Sequence, residues 1–326
     1  MVMNAVLQAL KEIFRESLIV YWGLLKIMVP VMVIVEIGVR LGVVEIISKW
    51  CAPIMSVFGL PAELSLVLAT NLIVGLYGAG AALVTLAPGL DLTVENMTVL
   101  AGMLLFAHAL PVEQTIVKKT GTPLIFSIFT RVFAAGFYGW IMHVVYQFFG
   151  ALDGPATILI TAGSQTGDTS WMAWGISSLT GLISVFGVLV FLITLLRVLE
   201  YLGITKLITR ALTPALRLMG VGPNAAPLAM IGILLGLSFG GALILREVEK
   251  GALQPRSIFI SMIFMGLCHS LIEDTIIAIA YGGHWSGVLV GRLVISILLI
   301  LPISFYVLRV SDKTFFRYWY SRKSSP

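Results

Sequence analysis

The sequence predicts an all-α polytopic membrane protein of two inverted-topology repeats. Each repeat has three transmembrane helices, one interfacial amphipathic helix and one re-entrant hairpin. Three observations predict this. The 326 residues are 59% hydrophobic and only 11% charged, with a mean hydropathy of +1.02, whereas soluble chains carry about a quarter charged residues. A set of motifs recurs at a single offset of 161 residues. The Lys/Arg bias alternates along the chain. The alternating apolar and polar segments of a membrane β-barrel are absent.

The repeat is read from pairs that share the offset. His108 pairs with His269, Arg131 with Arg292, Pro53 with Pro214, Gly59 with Gly220 and Gly121 with Gly282. Leu41-Gly42, Gly75-Leu76 and Gly80-Ala81 match Leu202-Gly203, Gly236-Leu237 and Gly241-Ala242. Glycines coincide easily by chance, but His, Arg and Pro at one offset do not.

Each unit then reads in the same order. A long apolar helix comes first, at 17–39 and 179–200. An amphipathic stretch follows, at 43–58 and 204–219, with its charges on one side as for a helix lying in the interface. The Gly-rich runs 61–88 and 223–245 are broken near Gly75, Gly78 and Gly80, and near Gly236, Gly240 and Gly241. Halves of about a dozen residues at about 1.5 Å each do not cross a core of about 30 Å, so these runs are expected to be re-entrant hairpins. Two spans close each unit, at 97–117 with 122–149 and at 256–280 with 285–309.

The charges fit that count. The loop after the first hairpin holds Asp91 and Glu95 without Lys or Arg, whereas its counterpart holds Arg246, Lys250 and Arg256. The 150–178 connector has no Lys or Arg, and both chain ends are basic. Cytoplasmic loops are enriched in Lys and Arg, so both termini are expected inside, in a bacterial inner membrane; Lys49 is the exception. The expected organisation is a cytoplasmic N-terminus at 1–16, repeat one at 17–149, an external connector at 150–178, repeat two at 179–310 and a basic tail at 311–326. The two cysteines, Cys51 and Cys268, have apolar neighbours and no metal-ligand spacing, so neither disulfide nor cofactor is expected. The first residues lack the features of a signal peptide. The basic residues mark orientation rather than a nucleic-acid groove.

Ionisable groups inside spans are costly and point to function. "FAHALPVEQT" and "LCHSLIEDT" each carry a histidine, an acid and a threonine. The candidate binding residues are His108, Glu113, Gln114, Thr115, His269, Ser270, Glu273, Asp274, Thr275, Arg131, Arg292 and Asn71, with the six hairpin glycines. Hydrogen-bonded core histidines and Arg–Glu salt bridges are the competing structural readings. Matching Glu113 to Glu273 requires one extra residue at Leu110-Pro111, of the kind taken up as a π-bulge, which predicts a kinked or locally unwound helix at Ala107 to Pro111. Asp274 is then the added acid, opposite Gln114. The connector segment "TAGSQTGDTSW" reads as an ordinary loop. No phosphate loop, Cys-based metal motif or serine nucleophile motif is present, so no enzymatic or ATP-driven activity is expected.

The stretches "LGVVEIISKWCAPIMSVFGLPAELSLVLATNLIVGLYGAGAALV" and "LGITKLITRALTPALRLMGVGPNAAPLAMIGILLGLSFGGALIL" resemble the Gate, or nucleoside-recognition, family. That family includes concentrative nucleoside transporters, the membrane core of ferrous iron transporter B and spore maturation proteins A and B. The resemblance implies a substrate site between the hairpin tips, at Gly75 to Ala81 and Gly236 to Ala242, and unwound helices around His108 and His269. The first tip here, "GLYGAGA", lacks the acid and amide of the nucleoside transporters.

The function expected is secondary transport of a small polar solute, anionic or nucleoside-like among the candidates, coupled to H+ or Na+, in a chain that could self-associate. The alternatives are divalent-metal permeation and a non-transporting membrane partner. If the topology is right, a cysteine at Gly154 reacts with an impermeant thiol reagent added outside intact cells, and one at Lys250 reacts only in inverted vesicles. The reverse pattern rejects the orientation.

Overall fold

The computed structural model describes residues 2–161, 170–222 and 225–321 and is all helical, with no strand among them. The connector loop over 162–169 and the last five residues lie outside the described residues. Among the described residues five helices are long and apolar enough to cross a membrane. Of the six spans expected, 256–280 is not one of them, because it divides into shorter helices at Pro255–Leu267 and Glu273–Ala280.

Helix α1 runs from Val2 to Arg40. It begins well before the expected 17, because residues 2–16 hold no Gly or Pro and are mostly good helix formers. α2 (Val43–Ser56) buries Val44, Ser48 and Met55, the spacing of one helical face. Its other side shows Trp50 at 82% and Ile54 at 62% exposure, as suits a helix lying on an apolar phase. α8 (Trp171–Tyr201) and α9 (Ile204–Leu218) repeat this pair.

The first Gly-rich run folds into α3 (Ser65–Val74) and α4 (Leu76–Leu86). Between them Gly75 takes φ 102°, ψ −175°, a region open essentially to glycine alone. The arms fold back on each other. A Cβ on Gly78 would lie 3.4 Å from the Thr70 methyl, whereas residues eight apart in one straight helix are about 12 Å apart. α10 (Ala226–Glu249) repeats the break at Gly236, with φ 77° and ψ 174°. The turns therefore rest on Gly75 and Gly236 alone. Gly78, Gly80 and Gly241 sit inside the second arms and admit close neighbours, namely Thr70 and Val74, the Tyr281 hydroxyl, and Ile116; Gly240 is buried beside Gly241. The first hairpin's arms of 10 and 11 residues reach about half the thickness of a hydrocarbon core.

The two histidine spans are broken. α5 (Val94–Phe106) opens with a capping box between Thr93 and Asn96 and stops before Ala107, and α6 (Leu110–Lys119) resumes the path. α11 (Pro255–Leu267) and α12 (Glu273–Ala280) do the same around His269. Ala109 and Ser270, one offset apart, both adopt the left-handed region, at φ 45° and φ 44°. Gly121 and Gly282 beyond them match at φ 95° and φ 94°.

This geometry corrects the expected extra residue at Pro111. The offset of 161 runs unbroken through both interruptions, so Glu113 corresponds to Asp274, Gln114 to Thr275 and Val112 to Glu273. Glu273, not Asp274, is the added acid. Pro111 cannot be the cause of the break, because the copy without it breaks too. The only π-helical turn among the described residues lies elsewhere, at Ser286–Gly291. α7 (Leu124–Phe149) and α13 (Arg292–Arg309) close the two units, and a short α14 (Asp312–Tyr318) follows.

Replacing Gly75 or Gly236 by Ala should cost about 1–3 kcal/mol, the price of a non-glycine residue in that backbone region. Gly187→Ala, in α8 with open space around it, serves as the control. Thermal unfolding of the detergent-solubilised chain checks this, and equal melting temperatures for all three variants would reject the assignment of the turns.

Candidate functional site

Ending a helix in an apolar interior leaves carbonyls without donors. Here the two arginines supply them. Arg131 donates from Nε to the Phe106 carbonyl at 2.9 Å and from Nη2 to the His108 carbonyl at 3.0 Å, and its Nη1 pairs with Glu113 Oε2 at 2.5 Å. Arg292 donates to the Leu267 carbonyl at 3.3 Å and the His269 carbonyl at 3.0 Å, the same two positions one offset on. It also reaches the Leu105 carbonyl of the first repeat at 3.2 Å and lies 3.5 Å from Asp274. Both side chains are fully buried. The arginines thus sit behind the broken helices and hold them open, rather than facing a solute.

The hairpins meet the same breaks from the other side. The Ala109 N–H donates to the Asn71 carbonyl at 3.0 Å, and the Ser270 N–H donates to the equivalent Gly232 carbonyl at 3.2 Å. In the first repeat the Asn71 amide also donates to the Leu104 and Ala107 carbonyls, at 3.0 and 2.9 Å. Asn71 is therefore a brace for the end of α5. Gly75 packs on Ala109 and Gly236 on Ser270, which is why each tip needs a residue without a side chain.

With the breaks held open, the two histidines face each other. His108 Nε2 lies 2.8 Å from His269 Nε2, an atom and its own repeat equivalent. Glu113 Oε1 stands 3.3 Å from the first and 3.2 Å from the second. Each ring's Nδ1 points at the carbonyl four residues earlier, at 3.2 Å to Leu104 and 2.6 Å to Met265.

A cavity of about 190 Å³ opens beside this trio. Its polar lining is Tyr77, His108, Glu113, His269, Ser270, Glu273 and Asp274, and the tips contribute Gly75, Leu76 and Leu237. Of the sequence candidates, Asn71, Arg131 and Arg292 stand behind the site. Thr115 is exposed and bonds back to Val112. Gln114 and Thr275, which correspond to each other, are buried with their side-chain polar atoms unpaired among the described residues. Sequence reasoning missed Tyr77, whose hydroxyl donates to Glu273 at 3.4 Å, and Tyr281, which donates to the Leu76 carbonyl at 2.7 Å and so ties one repeat's broken helix to the other's hairpin. The signal for Tyr77 was its place two residues after the tip glycine.

Arg131→Met would strand the Glu113 charge and two carbonyls, and loss of one partner of a buried pair costs about 3–5 kcal/mol. Arg131→Lys keeps the charge but not the fork that serves three acceptors, so it should fall between wild type and Met. Unfolding of the purified chain in detergent checks the order, and a Met variant as stable as wild type would refute the role.

Comparison with known proteins agrees with this architecture. A family model described as Gate, nucleoside recognition, matches residues 21–123 and again residues 182–285. The two matches start 161 residues apart and so fall on the two repeats. YvoD of Bacillus subtilis (strain 168), itself described as an uncharacterized membrane protein, is 26% identical over 287 residues, covering 87% of this chain and 90% of the relative. No solved structure matches significantly. With a match to each of its halves that together span more than half its length, the chain belongs to the Gate, or nucleoside recognition, family of membrane proteins.

Proposed function

We propose that this chain is a secondary transporter of the bacterial inner membrane, with both termini cytoplasmic and its two repeats inverted relative to one another. One observation carries the reading. Two helical hairpins of half-membrane reach and two broken helices, one of each per repeat, converge on a single polar cavity. Inverted repeats that meet in this way build midplane solute sites from broken helices. The charge alternation in the loops and the odd number of spans per unit support the inversion.

The size and charge of the cavity narrow the solute. About 190 Å³ is below the roughly 300–1,000 Å³ of sites for drug-sized ligands, which favours a small solute or a partly hydrated ion over a whole nucleoside. Three carboxylates face the space, while both guanidiniums are turned to backbone carbonyls. This arrangement favours a cationic or neutral solute over an anionic one. A gradient of H+ or Na+ could couple through the same carboxylates. Carboxylates buried among membrane-spanning helices are expensive, which is the reason to expect them to work.

Alternating access can be tested without knowing the solute. In a chain carrying Cys51→Ser and Cys268→Ser, Leu76→Cys puts a thiol on the cavity wall. A membrane-impermeant thiol reagent should modify it in both right-side-out and inverted vesicles. Modification from one face only would overturn the reading.

A further inference from the structure

We propose that His108, His269 and Glu113 together bind one divalent transition-metal ion that bridges the two repeats. The argument begins with the ring tautomers. A backbone carbonyl can only accept, so the contacts of Nδ1 with Leu104 and Met265 put the ring proton of each neutral histidine on Nδ1. Both Nε2 atoms then present lone pairs, and they do so 2.8 Å apart. Glu113 Oε1 adds a third acceptor at 3.2 and 3.3 Å. Three acceptors crowded on one point repel one another unless a cation lies among them. A single proton joins only two of the three.

The spacing suits a metal. Imidazole nitrogen and carboxylate oxygen bind Zn2+ at about 2.0–2.2 Å, so neighbouring ligands of a tetrahedral site stand about 3.2–3.5 Å apart. The edges here are 2.8, 3.2 and 3.3 Å. An ion about 2.05 Å from all three would sit about 1 Å out of their plane, which leaves room for a fourth, exchangeable ligand.

The surroundings fit as well. Metal-bound histidines characteristically donate their other ring N–H to a carbonyl or carboxylate, as both do here. Glu113 Oε2 is anchored by Arg131, which fixes the orientation of Oε1. The formal charges around the cavity are three carboxylates, Glu113, Glu273 and Asp274, against the two guanidiniums. That leaves one negative charge in excess. Two imidazoles and a carboxylate suit ions such as Zn2+, Co2+, Fe2+ or Ni2+ better than Mg2+ or Ca2+, which prefer oxygen alone. The site stands on its own geometry and does not require the transport reading.

The test uses the full-length chain in detergent, stripped with chelator and purified without a polyhistidine tag. Titration with Co2+ should produce visible d–d bands that saturate at one ion per chain and are displaced by Zn2+. His108→Gln and His269→Gln should each weaken binding by about 10-fold or more, whereas Gly187→Ala, in α8 with open space around it and away from the cavity, should leave it unchanged. Absence of the bands in the wild-type chain would overturn the site, and that result does not depend on any variant folding. Bands that persist unchanged in both histidine variants would overturn it as well. Zn2+ should also slow thiol modification at Leu76→Cys while sparing it in the same chain carrying His108→Gln. Two-sided modification with no metal binding would leave the transporter reading standing and remove the metal site, and metal binding with one-sided modification would do the reverse.

Discussion

Two buried guanidiniums carry the centre of this molecule. A helix interrupted in an apolar interior loses its own hydrogen bonds where water cannot replace them, so an interruption survives only if donors are built in. Arg131 and Arg292 do this from the next helix of each unit, reaching the carbonyls at 106 and 108 and at 267 and 269. A guanidinium is suited to the task because it is permanently charged and offers five donors in a rigid fork. Its charge is balanced by the acid that opens the resumed helix, Glu113 or Asp274. Remove either arginine and the histidine beside it has no reason to stay turned inward.

The hairpins complete the arrangement. Each tip glycine lets the backbone approach the break from the opposite side, and the N–H of Ala109 or Ser270 finds its acceptor on the hairpin. Hairpin and broken helix are thus one hydrogen-bonded unit, and the structure contains it twice. Where the two units touch, equivalent atoms meet, as at His108 with His269. The copies differ next to that point. Glu113 contacts both histidines, whereas Asp274 lies 3.5 Å from its arginine, and the second copy adds Glu273 under the Tyr77 hydroxyl. The asymmetry of the cavity comes from these few residues.

The all-helical membrane class, the amphipathic stretches, the glycine-broken runs, the two-fold repetition and every expected span except 256–280 were legible in the sequence. Each depends on local features: the length of an apolar run, the side on which charges fall, a glycine that must take a positive φ, and motifs that share one offset. The reading failed where it let residue types override that offset. Matching Glu113 to Glu273 because both are glutamates required an insertion at Pro111, although Gly121 and Arg131 beyond it still paired at 161. The backbone angles at Ala109 and Ser270 restore the register and reassign the added acid from Asp274 to Glu273.

By itself, then, the sequence determined the membrane class, the order of elements and the identity of the polar residues, because burial in lipid punishes any departure from apolar helix and so makes each exception visible. The tertiary structure alone decided which of those residues face one another. The two histidines are 161 residues apart, and their 2.8 Å approach depends on how two units dock. The arginines read as solute ligands by composition, yet they point at carbonyls that exist as acceptors only once the helices have broken. No local pattern specifies a contact between groups so distant in the chain, and the character of the cavity follows from those contacts.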